Sequence, residues 1–352
     1  MNVLFVTRKY PPMVGGMEAL SYFLTTGFPA PKTIVALCRR QTHLFWFLPY
    51  ALLRVALTSQ RYDVVHLGDP LLGVVGLVPR FLAKRPVFVT VHGLDMTYES
   101  RLYQWYFRRF VRGSAYVAIS NSTREIAVEH GLSPVEVVPV GVPDRFFALV
   151  RDANADAELV EKRDGRVVLL TVGRLVKRKG VAWFIRNVLP RLEKVLYVVV
   201  GEGEDREDIE RAIAETNAAP DVLLLGKVSE ERLTNLLRSS DIFVMPNIVV
   251  PGDVEGFGIV ALEAAASGLC VVAPRLQGIK DAILDGENGV LVEPEDRAAF
   301  ANALAPLVSD AAARKRLGDR ARAVTQREYA WPKVVARYEE LFRASLAERA
   351  SR

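Results

Sequence analysis

Short apolar runs, rich in β-branched residues, recur along the chain and alternate with longer stretches of helical periodicity. The first half holds NVLFVT, TIVALC, DVVHLG, PVFVTVHG, YVAISN and VEVVPVG. The second holds VVLLTVGR, VLYVVVGEG, DVLLLGK, DIFVMPN and CVVAP. Inside each run the apolar residues follow one another rather than alternating with polar ones. That is the pattern of strands covered on both faces, hence of parallel sheets. Strands alternating with helices predict an α/β protein, and right-handed crossovers favour doubly wound sheets.

The rhythm breaks between Pro143 and Arg166, a stretch rich in Asp, Ala, Glu and Arg. A boundary there predicts two Rossmann-like doubly wound domains facing each other across a cleft, residues 1–150 and 151–330. A last amphipathic segment, residues 331–352, carries Val335, Tyr338, Leu341 and Phe342 on one stripe and must dock on something. Ligands of such sheets bind beyond the carboxyl ends of the strands, so a cleft between two of them collects loops from both.

Composition narrows the class. The chain has 352 residues, half of them hydrophobic and a quarter charged, which excludes collagen-like, disulfide-scaffold and disordered proteins. Cys38 and Cys270 sit in apolar, strand-like surroundings and read as buried reduced thiols. The histidines, His43, His66, His92 and His130, have no ligand spacing, so no metal site is expected. The opening MNVLFVT lacks a basic leader and reads as a first strand. The longest apolar stretches, LFWFLPYALL and LLGVVGLVP, fall short of the ~18 residues of a membrane span. The expected location is cytoplasmic. Residues 1–150 hold 16 Lys and Arg against 9 Asp and Glu, whereas the rest hold 30 against 32. A basic first half points to an anionic partner.

Four segments carry candidate chemistry. YPPMVGGME places Gly15 and Gly16 between a strand and a helix, a construction that can hold an anion at a helix start; a plain βα turn gives the same pattern. VHGLD puts His92 just past a strand, with Asp95 close by, while His66 in DVVHLGD reads as structural. TVGRLVKRKG offers Gly173 for a tight turn and Arg174 and Lys179 as two cations suited to a diphosphate; Lys177 and Arg178 read equally well as solvated surface. PGDVEGFGIVALEAAASG places Glu255 before a Gly256-Phe257-Gly258 turn, then a helix carrying Glu263. VGEGEDRED imitates a dinucleotide fingerprint but has Arg206 where the third glycine belongs, so it reads as a strand-end turn.

Together these segments resemble the retaining glycosyltransferases of family 4, with the GT-B fold. Glu255 to Glu263 matches that family's E-x7-E motif, and Arg174 to Lys179 its diphosphate motif. Gly15–Gly16 matches its N-terminal glycine loop, His92 its strand-end histidine, and DGENGVLVEP, residues 285–294, a typical loop and strand. The resemblance implies a first domain that binds the acceptor, a second that binds a nucleotide sugar, and a last helix that returns to the first domain. It implies catalytic roles for His92, Glu255, Arg174 and Lys179. Donor contacts would come from Gly15, Gly16, Gly173, Arg174, Lys179, Gly226, Val228, Glu255, Gly256, Phe257, Gly258 and Glu263, and an acceptor-side contact from Asp95. It implies a hexose moved from a UDP- or GDP-sugar to a glycan, lipid-linked or small-molecule acceptor, with no cofactor and no metal; the chain has no Asp-x-Asp motif. Work on cell-envelope polysaccharide or glycolipid would follow. Lys280 departs from the family, many of whose members carry Glu there.

A nucleotide-sugar epimerase of the same fold and a non-catalytic sugar-nucleotide-binding subunit are the competing readings. The first needs no acceptor, which suits the basic first half poorly. The second leaves the intact Glu255, Glu263, Arg174, Lys179 and His92 unexplained. Nucleic acid is not an expected partner, since the aromatics do not interleave with the basic residues as in a known module. Arg39 and Arg40 before LFWFLPYALLRVAL, and Arg108, Arg109 and Arg112 among aromatics, suggest peripheral contact with an anionic membrane at its inner face. Packed helices with solvated basic faces explain the same residues.

Overall fold

The computed structural model describes residues 1–13, 15–39, 41–98 and 100–351. The chain forms two compact units, Met1–Gly141 with Trp331–Arg352, and Val142–Ala330. The division thus falls at Gly141, ahead of position 150. The stretch where the strand rhythm breaks forms two short helices, Asp144–Phe147 and Ala157–Arg163. Their Phe146 and Leu159 are buried, and the first helix packs on Ile259–Ala266 of the second unit. The Val142 N–H donates to the Tyr329 carbonyl at 2.8 Å, which ties together the two ends of that unit.

The first unit contains strands β1 (Val3–Thr7), β2 (Lys32–Ala36), β3 (Val64–Leu67), β4 (Val87–Val91), β5 (Ala115–Ala118) and β6 (Val135–Val137). They pair in the order β2-β1-β3-β4-β5-β6, all parallel. On one face Leu4, Val6, Val65 and Val89 share a core with Phe47, Ala51, Val55, Val75 and Phe107 from the covering helices. On the other face the helix Trp331–Ala350 packs down. Its Phe342 ring meets Phe5, Phe28, His66 and Phe88, and its Trp331 stacks on Phe23 with centroids 5.3 Å apart. A fully buried aromatic of this kind stabilises by on the order of 2–3 kcal/mol.

The second unit contains β7 (Val167–Val172), β8 (Val195–Val200), β9 (Val222–Gly226), β10 (Ile242–Val244), β11 (Cys270–Pro274) and β12 (Val290–Val292), again all parallel, in the order β12-β11-β10-β7-β8-β9. Leu169, Tyr197, Val199, Val244 and Val272 pack against Phe184, Ile185, Phe300 and Leu304. Strand order reverses between β1 and β3 in one sheet and between β7 and β10 in the other. Loops leaving the carboxyl ends of strands at such a reversal splay apart and leave room for a ligand.

One cysteine departs from expectation. Cys270 is buried at the start of β11, but Cys38 is exposed, because β2 ends at Ala36 and the chain has already left the sheet. His66 is structural, as expected. It is buried, with Nε2 2.8 Å from Thr90 Oγ1, and burial followed by the field of His92 pushes its pKa down to about 3. Among the described residues no helix is long and apolar enough to cross a membrane.

Candidate active site

The reversal in the second sheet gathers most of the polar residues singled out from the sequence. After β7 the chain turns through Gly173 and Arg174 into the tight turn Lys177–Lys179, then into the helix Val181–Asn187. Gly180 closes that turn with φ +65°, and a Cβ there would collide with the Pro246 carbonyl. Glycine is therefore what lets the turn close against the exit of β10. Lys179 is thereby aimed back along the end of β7, its Cε 3.5 Å from where a Cβ at Gly173 would lie.

Lys179 reaches Glu255. Its Nζ donates to Oε2 at 2.6 Å, Arg178 donates to the same oxygen, and Asn247 Nδ2 donates to it at 3.0 Å. Arg178 also donates through Nε to Asp253 at 2.9 Å. All three donors converge on Oε2, and Oε1 takes none of the hydrogen bonds among the described residues. Burial alone would raise the Glu255 pKa, but Lys179 and Arg178 outweigh it and hold the carboxyl below its ordinary value. Burial lowers Lys179 too, with Arg178 and Arg174 opposing the pull of Glu255.

Arg178, Asn247 and Gln277 were missed in the sequence. Arg178 is buried rather than solvated. It lies in a run of three cations, and composition does not say which member turns inward. Gln277 accepts the Glu255 N–H at 2.6 Å. Lys280, the departure from the family pattern, is exposed on the short helix that follows.

Beyond Glu255 the backbone changes direction. Phe257 is buried and packs edge-on to Tyr329 at 6.0 Å, which anchors the turn. Gly258 takes φ +80° and opens the helix Ile259–Ala266. Among the described residues the N–H groups of Gly256, Phe257 and Gly258 find no protein acceptor. Three free donors at a helix start form a seat for negative charge.

Glu263 lies in that helix, behind the seat. Its carboxylate takes no hydrogen bond and no ion pair among the described residues. Burial raises its pKa from 4.5 to about 7, with only Arg145 opposing. A third feature completes this end of the sheet: a cavity of about 300 Å³ lined by Val172, Gly173, Arg174, Val200, Gly201, Glu202, Lys227, Val228 and Leu233. Arg174 and Val228 line it, while Gly226 ends β9 beside it. Arg174 is exposed, and its guanidinium pairs with no described residue.

In the first unit, β4 ends at Val91 and His92 follows. The His92 N–H donates to both Asp95 oxygens at 3.0 Å each, and Nε2 lies 3.0 Å from the Gly68 carbonyl. Assigned from that bond, the neutral ring carries its proton on Nε2 and offers Nδ1 as an acceptor. Burial holds the Asp95 carboxyl above its ordinary value despite His92. Asp95, expected on the acceptor side, thus spends its oxygens fixing the His92 turn.

The glycine loop differs from its expected use. Gly15 caps the helix Gly16–Gly27, but the carboxylate of Glu18 lies against Gly15 and pairs with Lys9 at 3.3 Å. The positive helix start is met by the chain's own acid, which sequence proximity alone did not reveal. Among the described residues no three His, Cys, Asp or Glu side chains gather into a metal-holding group.

Two parallel six-stranded α/β sheets, one in each unit, make this a GT-B protein. The solved structure of sucrose-phosphate synthase from Thermosynechococcus elongatus superposes with a TM-score of 0.76 at 20% identity, covering 99% of both chains. HepE from Anabaena, solved in complex with UDP, gives 0.75 at 17% identity over 98% of this chain and 100% of that one. Residues 2–146 match the model of glycosyltransferase family 4, and residues 153–324 that of the glycosyl transferases group 1. A D-inositol 3-phosphate glycosyltransferase from Xylanimonas cellulosilytica is 30% identical over 314 residues, 83% of this chain and 74% of that relative. The chain belongs to the group 1, family 4 glycosyltransferases. It is a hexosyltransferase that draws on nucleotide-sugar donors.

Proposed function

We propose that this enzyme moves a hexose, with retention of anomeric configuration and without a metal ion, from a UDP- or GDP-hexose to an acceptor held by the first unit. The carrying observation is the seat made by the free N–H groups of Gly256, Phe257 and Gly258 beside the Lys179–Glu255 pair. The donor diphosphate fits that seat, with Lys179 and Arg174 supplying positive charge. The nucleobase fits the cavity between Gly173 and Val228, which backbone and apolar groups line for the most part. Glu263, a carboxylate without a partner among the described residues, accepts hydrogen bonds from the ribose hydroxyls. Glu255 offers its free Oε1 to a sugar hydroxyl while its other oxygen stays on Lys179, and His92 offers Nδ1 to the reacting sugar. The bond from the anomeric carbon to the diphosphate oxygen breaks, and the nucleoside diphosphate leaves with the electron pair. A bond to the acceptor oxygen forms, and the acceptor proton passes to the departing diphosphate. Arg174 and Lys179 act where that charge grows, the place where fixed cations lower a barrier most.

Two measurements test the proposal. Thermal shift with UDP, GDP and ADP and their hexoses is expected to show one base favoured, since a ligand that binds only the folded state raises apparent stability. Proton NMR of the product from that donor is expected to show the donor's anomeric configuration. Stabilisation by none of these nucleotides would overturn the site, and inversion would overturn the mechanism.

A further inference from the structure

The helix Leu44–Thr58 is apolar on two faces and buries only one. Phe47, Ala51 and Val55 point into the first unit. Trp46, Tyr50, Leu53 and Leu57 recur at i, i+4, i+7 and i+11 and form a second stripe. All four are exposed, Trp46 by 73% and Leu57 by 72%, and Phe45 beside them by 75%. Isolated exposed apolar residues need no explanation, but a stripe about three turns long does. A stripe of solvated charges would have made the helix an ordinary packed one; here a single cation, Arg54, borders it.

Charge indicates what covers this face. Between Glu18 and Asp63 the chain has no acidic residue, and Arg39, Arg54 and Arg61 are exposed there. Arg40 lies outside the described residues. A neighbouring element repeats the pattern. The helix Gly73–Phe81 joins Leu44–Thr58 to Arg101–Phe110, which exposes Leu102 and Trp105 together with Arg101, Arg108 and Arg109. Between Glu99 and Glu125 there is again no acid. Aromatic and aliphatic side chains with arginines and no carboxylates complement a bilayer interface, where rings sit at headgroup depth and guanidiniums meet lipid phosphate.

We infer that the Leu44–Thr58 face docks the enzyme on an anionic lipid bilayer. Docking itself does not depend on the transfer reaction, whereas the acceptor it implies, one carried on a lipid, rests on the proposal above. Vesicles of phosphatidylcholine with phosphatidylglycerol, and of phosphatidylcholine alone, test it by cosedimentation of the full chain without donor. Binding is expected on the anionic vesicles and is expected to weaken as salt rises. Replacing Trp46 and Leu57 together by serine is expected to lower partitioning at least about tenfold, since each removes a large apolar contact. Arg54→Glu is expected to lower it about fivefold or more, on anionic vesicles only. Val160→Ser, an exposed apolar position on the second unit, is expected to change nothing. Trp46→Phe is expected to bind while losing part of the fluorescence quenching by brominated lipid, the rest coming from Trp105. All these positions are exposed, so loss of fold does not enter, and circular dichroism checks it. Failure of the wild type to bind, equal binding by the serine double variant, or self-association that the same double variant abolishes would each overturn the docking. Docking with no transfer to any lipid-linked sugar would overturn the acceptor alone.

Discussion

Glu263→Gln is expected to gain stability relative to the wild type as pH rises from 4.5 to 8, and to weaken donor binding. The wild-type carboxyl titrates at 4.5 when unfolded and at about 7 in the folded chain, because it is buried without a compensating donor. Between those values the folded state holds a proton that the unfolded state has lost. Stability therefore falls as pH rises from 4.5, and the loss is complete above about 7. Each pH unit between them is worth about 1.36 kcal/mol, so the full cost is about 3 kcal/mol. Glutamine carries no such titration. Its unpaired amide adds a pH-independent cost of about 1–3 kcal/mol, which shifts the whole curve without tilting it. The informative quantity is the gap between variant and wild type, measured by calorimetry from pH 4.5 to pH 8. It is expected to change by about 3 kcal/mol in the variant's favour, or roughly 6–12 °C in Tm for a unit of this size. With UDP the order reverses. The ionised carboxylate is the better acceptor for ribose hydroxyls, so wild-type affinity is expected to decline below pH 7 more steeply than that of the variant. The variant reports the diphosphate's own titration. Parallel stability curves would refute the buried-carboxylate reasoning, and parallel affinity curves the ribose contact.

Three further outcomes follow from the same site. Transfer is expected to survive chelation in full, because on the proposed mechanism Arg174 and Lys179 supply the positive charge; activity lost to EDTA and restored by Mg²⁺ or Mn²⁺ contradicts this. Lys179→Ala is expected to cost about 10²–10³ in kcat, the scale of a lost transition-state electrostatic contact, and single-turnover kinetics with saturating donor would reveal a smaller effect. Glu255→Gln is expected to lower kcat more than it raises KM, whereas Glu263→Gln mainly raises KM, since the ribose is unchanged during transfer; purely KM effects in both would remove Glu255 from the reacting sugar.

Much of the fold was legible because strand burial writes itself into composition. All eleven apolar runs correspond to strands, and the twelfth, Val290–Val292, lies in DGENGVLVEP, where glycine and charged residues dilute the pattern. The boundary was harder to read. Residues 143–166 are polar enough to resemble a linker, yet Phe146 and Leu159 anchor them to the second unit. A few buried contacts decide that placement, and average composition conceals them. In the candidate site, the Lys179–Glu255 pair joins two segments that glycines and cations at fixed spacing single out in the sequence. Arg178 was not legible, since its inward turn depends on Asp253 and Glu255, more than seventy positions away in sequence. Glu18 at Gly15 shows the converse: a motif that reads as an anion seat can be filled by the acid three residues on.

The two glutamates are buried alike and charged differently, and the difference follows from their neighbours. Glu255 meets three donors at one oxygen, so its charge is fixed and its second oxygen remains available. In the free enzyme it also compensates Lys179, which would otherwise be an unpaired cation in low dielectric, and it shares Arg178 with Asp253. On the proposed binding mode, a diphosphate at the Gly256–Gly258 seat brings negative charge to the same cations, so Lys179 gains a second partner. Its donors are already oriented, and little reorganisation remains when charge builds on the leaving group. Glu263 has no such support among the described residues and stands half-protonated near neutral pH; on the proposed mode its cost in the free state is offset when ribose hydroxyls arrive. On the proposed binding mode, stability is given up at the position that meets the ribose, and charge is held ready at the position next to the bond that breaks.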